Sequence, residues 1–418
     1  MEHQTFIGSA NDRALHLSRA QRFEHMAVIG ATGVGKSTLL RHIAEQDIAR
    51  GDGLLYIDPH GEDAEALLDR IPPWRHNHVA YLDLGTLDHA IGLNVVETTH
   101  PDDRARAADA LVAALRDIWS SSWGPRLETI FRHAALALIE APRTSLVLLP
   151  RFLTDDAFRA AILHQVRDPM TRQFFGQRFE AWRDAYRSEA IEPLLNKVDA
   201  FLSFGAIRNV LGQATSSLHL EHAMEHGRIV ICNLAKGTVG DTGAHLMGAL
   251  LIARARTAAM ARIRQRPEER RPFHIIADEL QNLVSDSAPS VLAEVRKFSV
   301  SFTGATQFLA ALPETTRAAL LGTVGTLAVF RCGPDDGDVL AARFDRLHQR
   351  FNAAALQDLD RGEAIVRVGG GDPCRLRVPF PSDPLGSGPI VRRQSQRHYG
   401  RPRAAVEAKI SRALGLSS

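Results

Sequence analysis

A chain of 418 residues, 45% of them hydrophobic, is long enough to bury a large core and to divide into two or three domains. Its formal net charge of only +2 excludes a global field of the kind that draws nucleic acid to a whole protein surface, so a basic patch has to be sought segment by segment. Cys232, Cys332 and Cys374 are odd in number and widely spaced, which excludes a disulfide framework and reads as buried thiols in a reducing compartment.

The N-terminus lacks the basic, apolar and small-residue pattern of a secretory leader, and no apolar run reaches the ~18 residues of a membrane span. The expectation is a cytoplasmic protein with no integral membrane segment, reaching the inner membrane only through partners. Eighteen histidines occur, none in a C-x-x-C or H-E-x-x-H type of spacing, so they read as structural or surface residues.

The first expected strand is MAVI at 26–29, and GATGVGKST follows at 30–38, ahead of a helix predicted over 38–50. Gly30, Gly35, Lys36 and Ser37 satisfy G-x-x-x-x-G-K-[ST] in the strand-to-helix context the pattern requires. Gly30, Gly33 and Gly35 let the backbone of this loop, which includes Thr32, turn its N–H groups inward at the positive end of a helix. Lys36 is then placed for the β and γ phosphates of ATP, Ser37 for Mg²⁺ through its hydroxyl, and Thr38 for the α phosphate. Lys36, Lys197, Lys236, Lys297 and Lys409 are the only lysines, so this loop carries a lysine where arginine is the default.

Strand-like runs recur at 54–62 (LLYIDPHGE), 79–85 (VAYLDLG) and 228–237 (RIVICNLAKG). Others lie at 274–279 (HIIADE), 300–307 (VSFTGATQ), 326–333 (TLAVFRCG), 364–369 (AIVRVG) and 374–380 (CRLRVPF). Helical patterns separate many of them, which predicts an α/β nucleotide-binding core with a mostly parallel sheet covered on both faces. Residues 99–227 carry apolar positions at helical spacing and no convincing strand, predicting an inserted all-α domain. The expected organisation is a motor domain from 1–98 and 228–380, the insertion at 99–227, and a basic C-terminal tail at 381–418. From Ile390 onward Arg392, Arg393, Arg397, Arg401, Arg403, Lys409 and Arg412 face Glu407 alone, and the segment is expected either to contact DNA or a neighbouring subunit or to be a solvated, disordered tail.

A phosphate loop needs an acidic partner, and the strand at 274–279 ends in Asp278 and Glu279. Asp278 is assigned to the Mg²⁺ shell and Glu279 to orienting and polarising the attacking water, which points to hydrolysis. Gln307, at the end of a neighbouring strand, is a candidate γ-phosphate sensor, and Arg296 lies between them in sequence. DPHGE at 58–62 ends a strand-like run, and either His60 or Glu62 touches nucleotide or a neighbouring subunit there or the segment is a plain strand-ending turn. Arg331, Lys236 and Gly237 are weaker candidates for phosphate or DNA contact. Trp119, Trp123 and Trp182 fall in the helical insertion, where packing is the default reading.

The ordered motifs DPHGE, ADELQNL, LAEVRKFSVSFTGATQFLAAL and GTVGTLAVFRCG resemble the HerA and FtsK superfamily of ring-forming P-loop motors. Within it the resemblance is closest to the type IV secretion coupling proteins of conjugation and their soluble relatives. The helical insertion resembles the all-alpha domain of coupling proteins, and SQRHYGRPRAAVEAKI resembles C-terminal segments of that group. The resemblance implies a RecA-like P-loop fold, a homo-hexameric ring, ATP and Mg²⁺ as cofactors, and movement of DNA, single or double stranded, through a central channel. It also implies that Arg296 acts in the ATP site of the neighbouring subunit, and it makes secretion or conjugation proteins candidate partners.

Membrane-bound coupling proteins begin with transmembrane helices, whereas about 25 residues precede the first expected strand here. The N-terminal β-barrel of HerA proper has no room in that length, so the expectation is a bare motor with a helical attachment. The alternative is a motor for protein secretion or assembly with a protein cargo. A P-loop kinase is disfavoured by the Asp278–Glu279 pair and by size, and an ABC transporter ATPase by the lack of an LSGGQ-like signature.

Overall fold

Apolar runs bounded by turn residues become strands throughout the chain. The computed structural model describes residues 4–86, 88–283, 294–344 and 351–416. In chain order the strands are β1 (Gln4–Ala10), β2 (Arg13–Ser18), β3 (Met26–Ile29), β4 (Gly53–Asp58), β5 (Val79–Asp83), β6 (His89–Ile91) and β7 (Ile229–Asn233). They continue with β8 (Phe273–Ala277), β9 (Val300–Thr306), β10 (Thr326–Phe330), β11 (Glu363–Val368), β12 (Cys374–Arg377) and β13 (Gly400–Pro402).

The first of two compact units comprises Met1–Tyr81, Glu221–Leu234 and Arg262–Ser395. It is built on an eleven-stranded sheet in the order β2-β1-β12-β11-β10-β3-β9-β8-β4-β7-β5. From β10 through β3, β9, β8 and β4 to β7 the pairings are parallel, and every residue of these strands is buried. Burial on both faces is why these segments read as continuous apolar runs rather than alternating ones. The other flank is antiparallel, with β11 on β10, β12 on β11 and β1 on β12. The resulting fold is α/β, of the RecA-like P-loop type.

Two strands precede the expected first one. β1 and β2 form a hairpin whose connecting residues Asn11 and Asp12 have φ of 48° and 61°. A two-residue loop with both φ positive matches the right-handed twist of its strands, and Asn and Asp tolerate it. Gly8 interrupts the alternation that would have revealed β1. A Cβ there would come within 2.4 Å of the Arg377 carbonyl oxygen, so the close pairing with β12 requires glycine.

The second unit comprises Leu82–Leu220, Ala235–Ala261 and Gln396–Ser418, boundaries that differ from the expected 99–227 insertion. Its helices include Arg104–Ile118, Pro125–Glu140, Asp184–Leu202, Gly205–Leu211 and Lys236–Ala261, and β6 pairs with β13 in a small antiparallel ribbon. The helix Lys236–Ala261 packs on Arg104–Ile118, burying Leu246, Leu250 and Ile252 among others. That apolar surface draws it into the helical unit, although in sequence it follows β7.

The C-terminal segment is folded rather than a solvated tail. Helices Gly388–Tyr399 and Arg403–Leu414 occupy most of it. Val406 and Ile410, four residues apart on one helical face, are buried, and Glu407 accepts hydrogen bonds from Arg403 Nε at 2.7 Å and Asn209 Nδ2 at 3.2 Å. Trp119, Trp123 and Trp182 pack against Phe201, Phe131 and the Phe174–Phe179 cluster respectively. Cys232 and Cys332 are buried free thiols, the latter pushed up to about 11 by burial. Among the described residues no helix is long and apolar enough to cross a membrane.

Candidate functional site

The phosphate loop leaves β3 at the C-terminal edge of the parallel strands, where ligand sites of open α/β sheets gather. Gly30 N donates to the Thr306 carbonyl at 3.2 Å and Ala31 N to the Arg331 carbonyl at 2.8 Å, which pins the loop to β9 and to the end of β10. Gly33 and Gly35 have φ of 76° and 116°, and a Cβ on Gly33 would meet nothing within 4 Å, so the loop opens outward there. Helix Lys36–Arg50 starts directly after Gly35, leaving the N–H groups of Lys36, Ser37 and Thr38 at its unpaired first turn. Lys36 Nζ donates to the Ala31 carbonyl at 2.8 Å. Burial pulls the lysine below its usual range, and Asp278 and Glu279 oppose that shift.

Across from the loop, Ser37 Oγ donates to Asp278 Oδ2 at 2.6 Å. Burial pushes the Asp278 carboxyl up, while the Ser37 hydroxyl and the Glu279 N–H pull it down. Asp58, at the end of β4, accepts from His60 N and Ala64 N, each at 2.9 Å, closing the DPHGE turn. Asp63 pairs with Arg41 at 2.7 Å. It is pushed up to about 6, chiefly by burial, with Asp58 and Asp278 adding to the rise and Arg41 opposing it.

Glu279 has φ of 47°, in the left-handed region. Its Oε1 accepts from Gln307 Nε2 at 2.5 Å, and its Oε2 accepts from Asn282 Nδ2 at 2.6 Å and lies 2.9 Å from His60 Nε2. Gln307 in turn accepts from Thr32 Oγ1 at 3.1 Å. The structure thus gathers Gly30, Thr32, Gly33, Gly35, Lys36, Ser37, Thr38, Asp278, Glu279 and Gln307 into one place.

Arg296 is elsewhere. It precedes β9, whose seven residues span roughly 20 Å, whereas Gln307 follows that strand. Arg296 Nη2 lies 3.4 Å from Glu24 Oε1, and its side chain is 58% exposed. Glu62 is exposed, and Lys236 pairs with Asp241 at 2.9 Å. Asn282 and Asp63 were not singled out from sequence, although Asn282 sits inside ADELQNL and Asp63 directly follows DPHGE. At the opposite end of β8, Asp47, Asp52 and His274 bring carboxylate and imidazole atoms together, but Arg22 and Arg50 already pair with the carboxylates.

The donor set suits a phosphorylated ligand with a hard divalent ion. Helix N–H groups and a lysine favour phosphate oxygens, and a hydroxyl beside a buried carboxylate offers the oxygen ligands Mg²⁺ takes. A family model of the HerA helicase central domain matches residues 19–254. The chain belongs to this HerA family. No curated protein sequence matches it.

Among solved structures, the bacterial conjugative coupling protein TrwBdeltaN70 in its unbound monoclinic form matches with a TM-score of 0.68 at 16% identity, over 93% of this chain and 91% of that one. The plasmid coupling protein TrwB in complex with ADP and Mg²⁺ gives a TM-score of 0.68 at 16% identity, over 93% and 92% of the two chains. VirB4 of Thermoanaerobacter pseudethanolicus gives 0.61 at 15% identity, over 90% and 96%. At these identities the likeness establishes the fold of this HerA-family chain.

Proposed function

We propose that this HerA-family chain is a Mg²⁺-dependent ATPase, the motor of a homo-hexameric ring that moves DNA in a conjugation or secretion system. The observation that carries the reading is the 2.6 Å hydrogen bond between Ser37 and Asp278, which joins the phosphate loop to the acid pair. The triphosphate of ATP would lie on the N–H groups at the start of helix Lys36–Arg50, with Lys36 turning from the Ala31 carbonyl to the β and γ phosphates. Ser37 and Asp278 would hold Mg²⁺, which when bound draws charge from the phosphate oxygens.

Glu279 orients a water and takes its proton as the water oxygen bonds to the γ phosphorus and the bond to ADP breaks. Gln307 reports whether the γ phosphate is present. Arg296 serves the site of the neighbouring subunit, a role supported by its position at the far end of β9 from its own loop. One further observation supports the reading. TrwB, similar in fold, has been solved with ADP and Mg²⁺ and with a non-hydrolysable ATP analogue. The ring works in the cytoplasm and meets a membrane through partner proteins.

The test is ATP turnover with single-stranded DNA, duplex DNA and no DNA, beside a native mass measurement. The reading expects stimulation by at least one DNA, a six-chain mass, and DNA affinity that falls steeply with salt as counterions are released. No stimulation by DNA together with stimulation by a protein cargo would move the motor to protein secretion or assembly.

A further inference from the structure

Four adjacent parallel strands end within two residues of one another in register. β3, β9, β8 and β4 are neighbours, with Ile29 opposite Thr306, Ala277 opposite Gly304, and Ile57 opposite Ala277. The loops that leave them therefore place Thr32, Gln307, Glu279 and His60 in a row. Thr32 to Gln307 at 3.1 Å and Gln307 to Glu279 at 2.5 Å are hydrogen bonds, and His60 Nε2 lies 2.9 Å from Glu279 Oε2 as an ion-pair contact.

The two oxygens of Glu279 are held differently. Oε2 accepts from Asn282 Nδ2 and lies 2.9 Å from His60 Nε2, and neither group belongs to the phosphate loop. Among the described residues Oε1 accepts only from Gln307 Nε2, and the Gln307 carbonyl oxygen is tied to the Thr32 hydroxyl inside that loop. The His60 ring is presented from a closed turn, because its own N–H and that of Ala64 both donate to Asp58. The left-handed backbone of Glu279 is braced in turn by its N–H donating to Asp278 Oδ1 at 2.8 Å. A left-handed conformation at a non-glycine residue is unfavourable and persists where surrounding contacts over-determine it.

We infer that His60 is a positioning residue for hydrolysis: with Asn282 it anchors one oxygen of Glu279, leaving the other to pass from Gln307 to the attacking water. The exchange follows when a phosphate engages Thr32 and Gln307. It rests on the ATPase reading above. A glutamate side chain has three rotatable bonds, and a base held to within about 0.5 Å of its productive position loses much of its effect when its supporting contacts go. Anchoring one oxygen supplies that support while leaving the other able to accept the proton.

The experiment compares full-length wild type, His60→Ala and His60→Gln. In His60→Ala, kcat should fall about tenfold or more, while KM for ATP and affinity for a fluorescent ATP analogue stay within about twofold. His60→Gln keeps an N–H donor and should recover most of the loss. A readout free of turnover is the His60 imidazole resonance in protein labelled with ¹⁵N-histidine, assigned by its disappearance in His60→Gln. That resonance should move in Glu279→Ala and stay in Glu62→Ala. Wild-type kcat in His60→Ala overturns the proposal, as does a resonance indifferent to Glu279→Ala. Joint loss of nucleotide affinity and thermal stability in both His60 variants would mark a structural role instead. A wild type that hydrolyses no ATP while its resonance still responds to Glu279→Ala refutes the ATPase reading, and the positioning role falls with it though the contact stands.

Discussion

Ser37 and Asp278, 241 residues apart in sequence, meet through a 2.6 Å hydrogen bond at the C-terminal edge of the parallel sheet. The serine comes from the first turn of the helix after β3 and the aspartate from the end of β8. Only the strand order, which sets β9 alone between β3 and β8, brings the two within reach. The halves of the site proposed for phosphate and for the ion are thereby one unit.

Lys36→Ala should weaken binding of a fluorescent ATP analogue by about a hundredfold or more, because it removes the one cation the loop aims at the β and γ phosphates. Affinity equal to wild type would contradict the placement of Lys36.

Arg296→Ala should leave nucleotide affinity unchanged and lower turnover by roughly a thousandfold, the scale of arginine fingers in related P-loop enzymes. Mixing decides whether it acts across subunits. Rings of Arg296→Ala alone and of Lys36→Ala alone should both be inactive, while mixed rings set an intact loop beside an intact neighbouring arginine and regain activity. Co-assembled rings that stay inactive at every ratio would return Arg296 to its pair with Glu24.

How much of this was legible in sequence depended on how local each feature is. The loop at Gly30–Ser37 and the pair Asp278–Glu279 are short motifs whose chemistry lies in neighbouring residues, so their roles could be proposed without coordinates. The contact between His60 and Glu279 needs β4 beside β8 with Ile57 opposite Ala277, a register the two segments do not encode separately. The hairpin of β1 and β2 carried a readable Asn-Asp turn, but Gly8 blurred the alternation around it. The placement of helix Lys236–Ala261 in the helical unit depends on its packing partner, Arg104–Ile118, more than a hundred residues upstream. The folding of the C-terminal segment was hidden for a related reason. Its arginines dominate the composition, while the two buried residues that dock its last helix, Val406 and Ile410, are a small part of it.

Stability should vary with pH through Asp63. Its carboxyl is pushed up to about 6 from 3.8, so between those values the folded chain keeps a proton that the unfolded chain releases. The contribution favours folding in full below about pH 4 and is lost as pH rises through about 6, a change on the order of 1–3 kcal/mol. Asp63→Asn should therefore raise the thermal midpoint by a few degrees at about pH 7.5 and change little at about pH 4. A variant that is less stable at the higher pH would show that the Arg41 pair outweighs the cost of burial.

Ile410→Ala should destabilise the helical unit by about 2–4 kcal/mol, since Ile410 is buried against Gly212 and the adjoining surface. Thermal or urea unfolding measures this, and a loss below about 0.5 kcal/mol would mean that the last helix docks only loosely.

The most direct test of an Mg²⁺-ATP site with Glu279 as its base is chemical quench of bound nucleotide in wild type and Glu279→Gln, with Mg²⁺ present. The amide keeps the shape of the side chain and can still accept from His60 or Asn282, but it cannot take a proton from water. Wild type should release ADP and phosphate over repeated cycles, and Glu279→Gln should bind ATP with wild-type affinity and hold it uncleaved. Equal turnover in the two proteins would show that another group is the base, and failure of either to bind ATP would contradict the site itself.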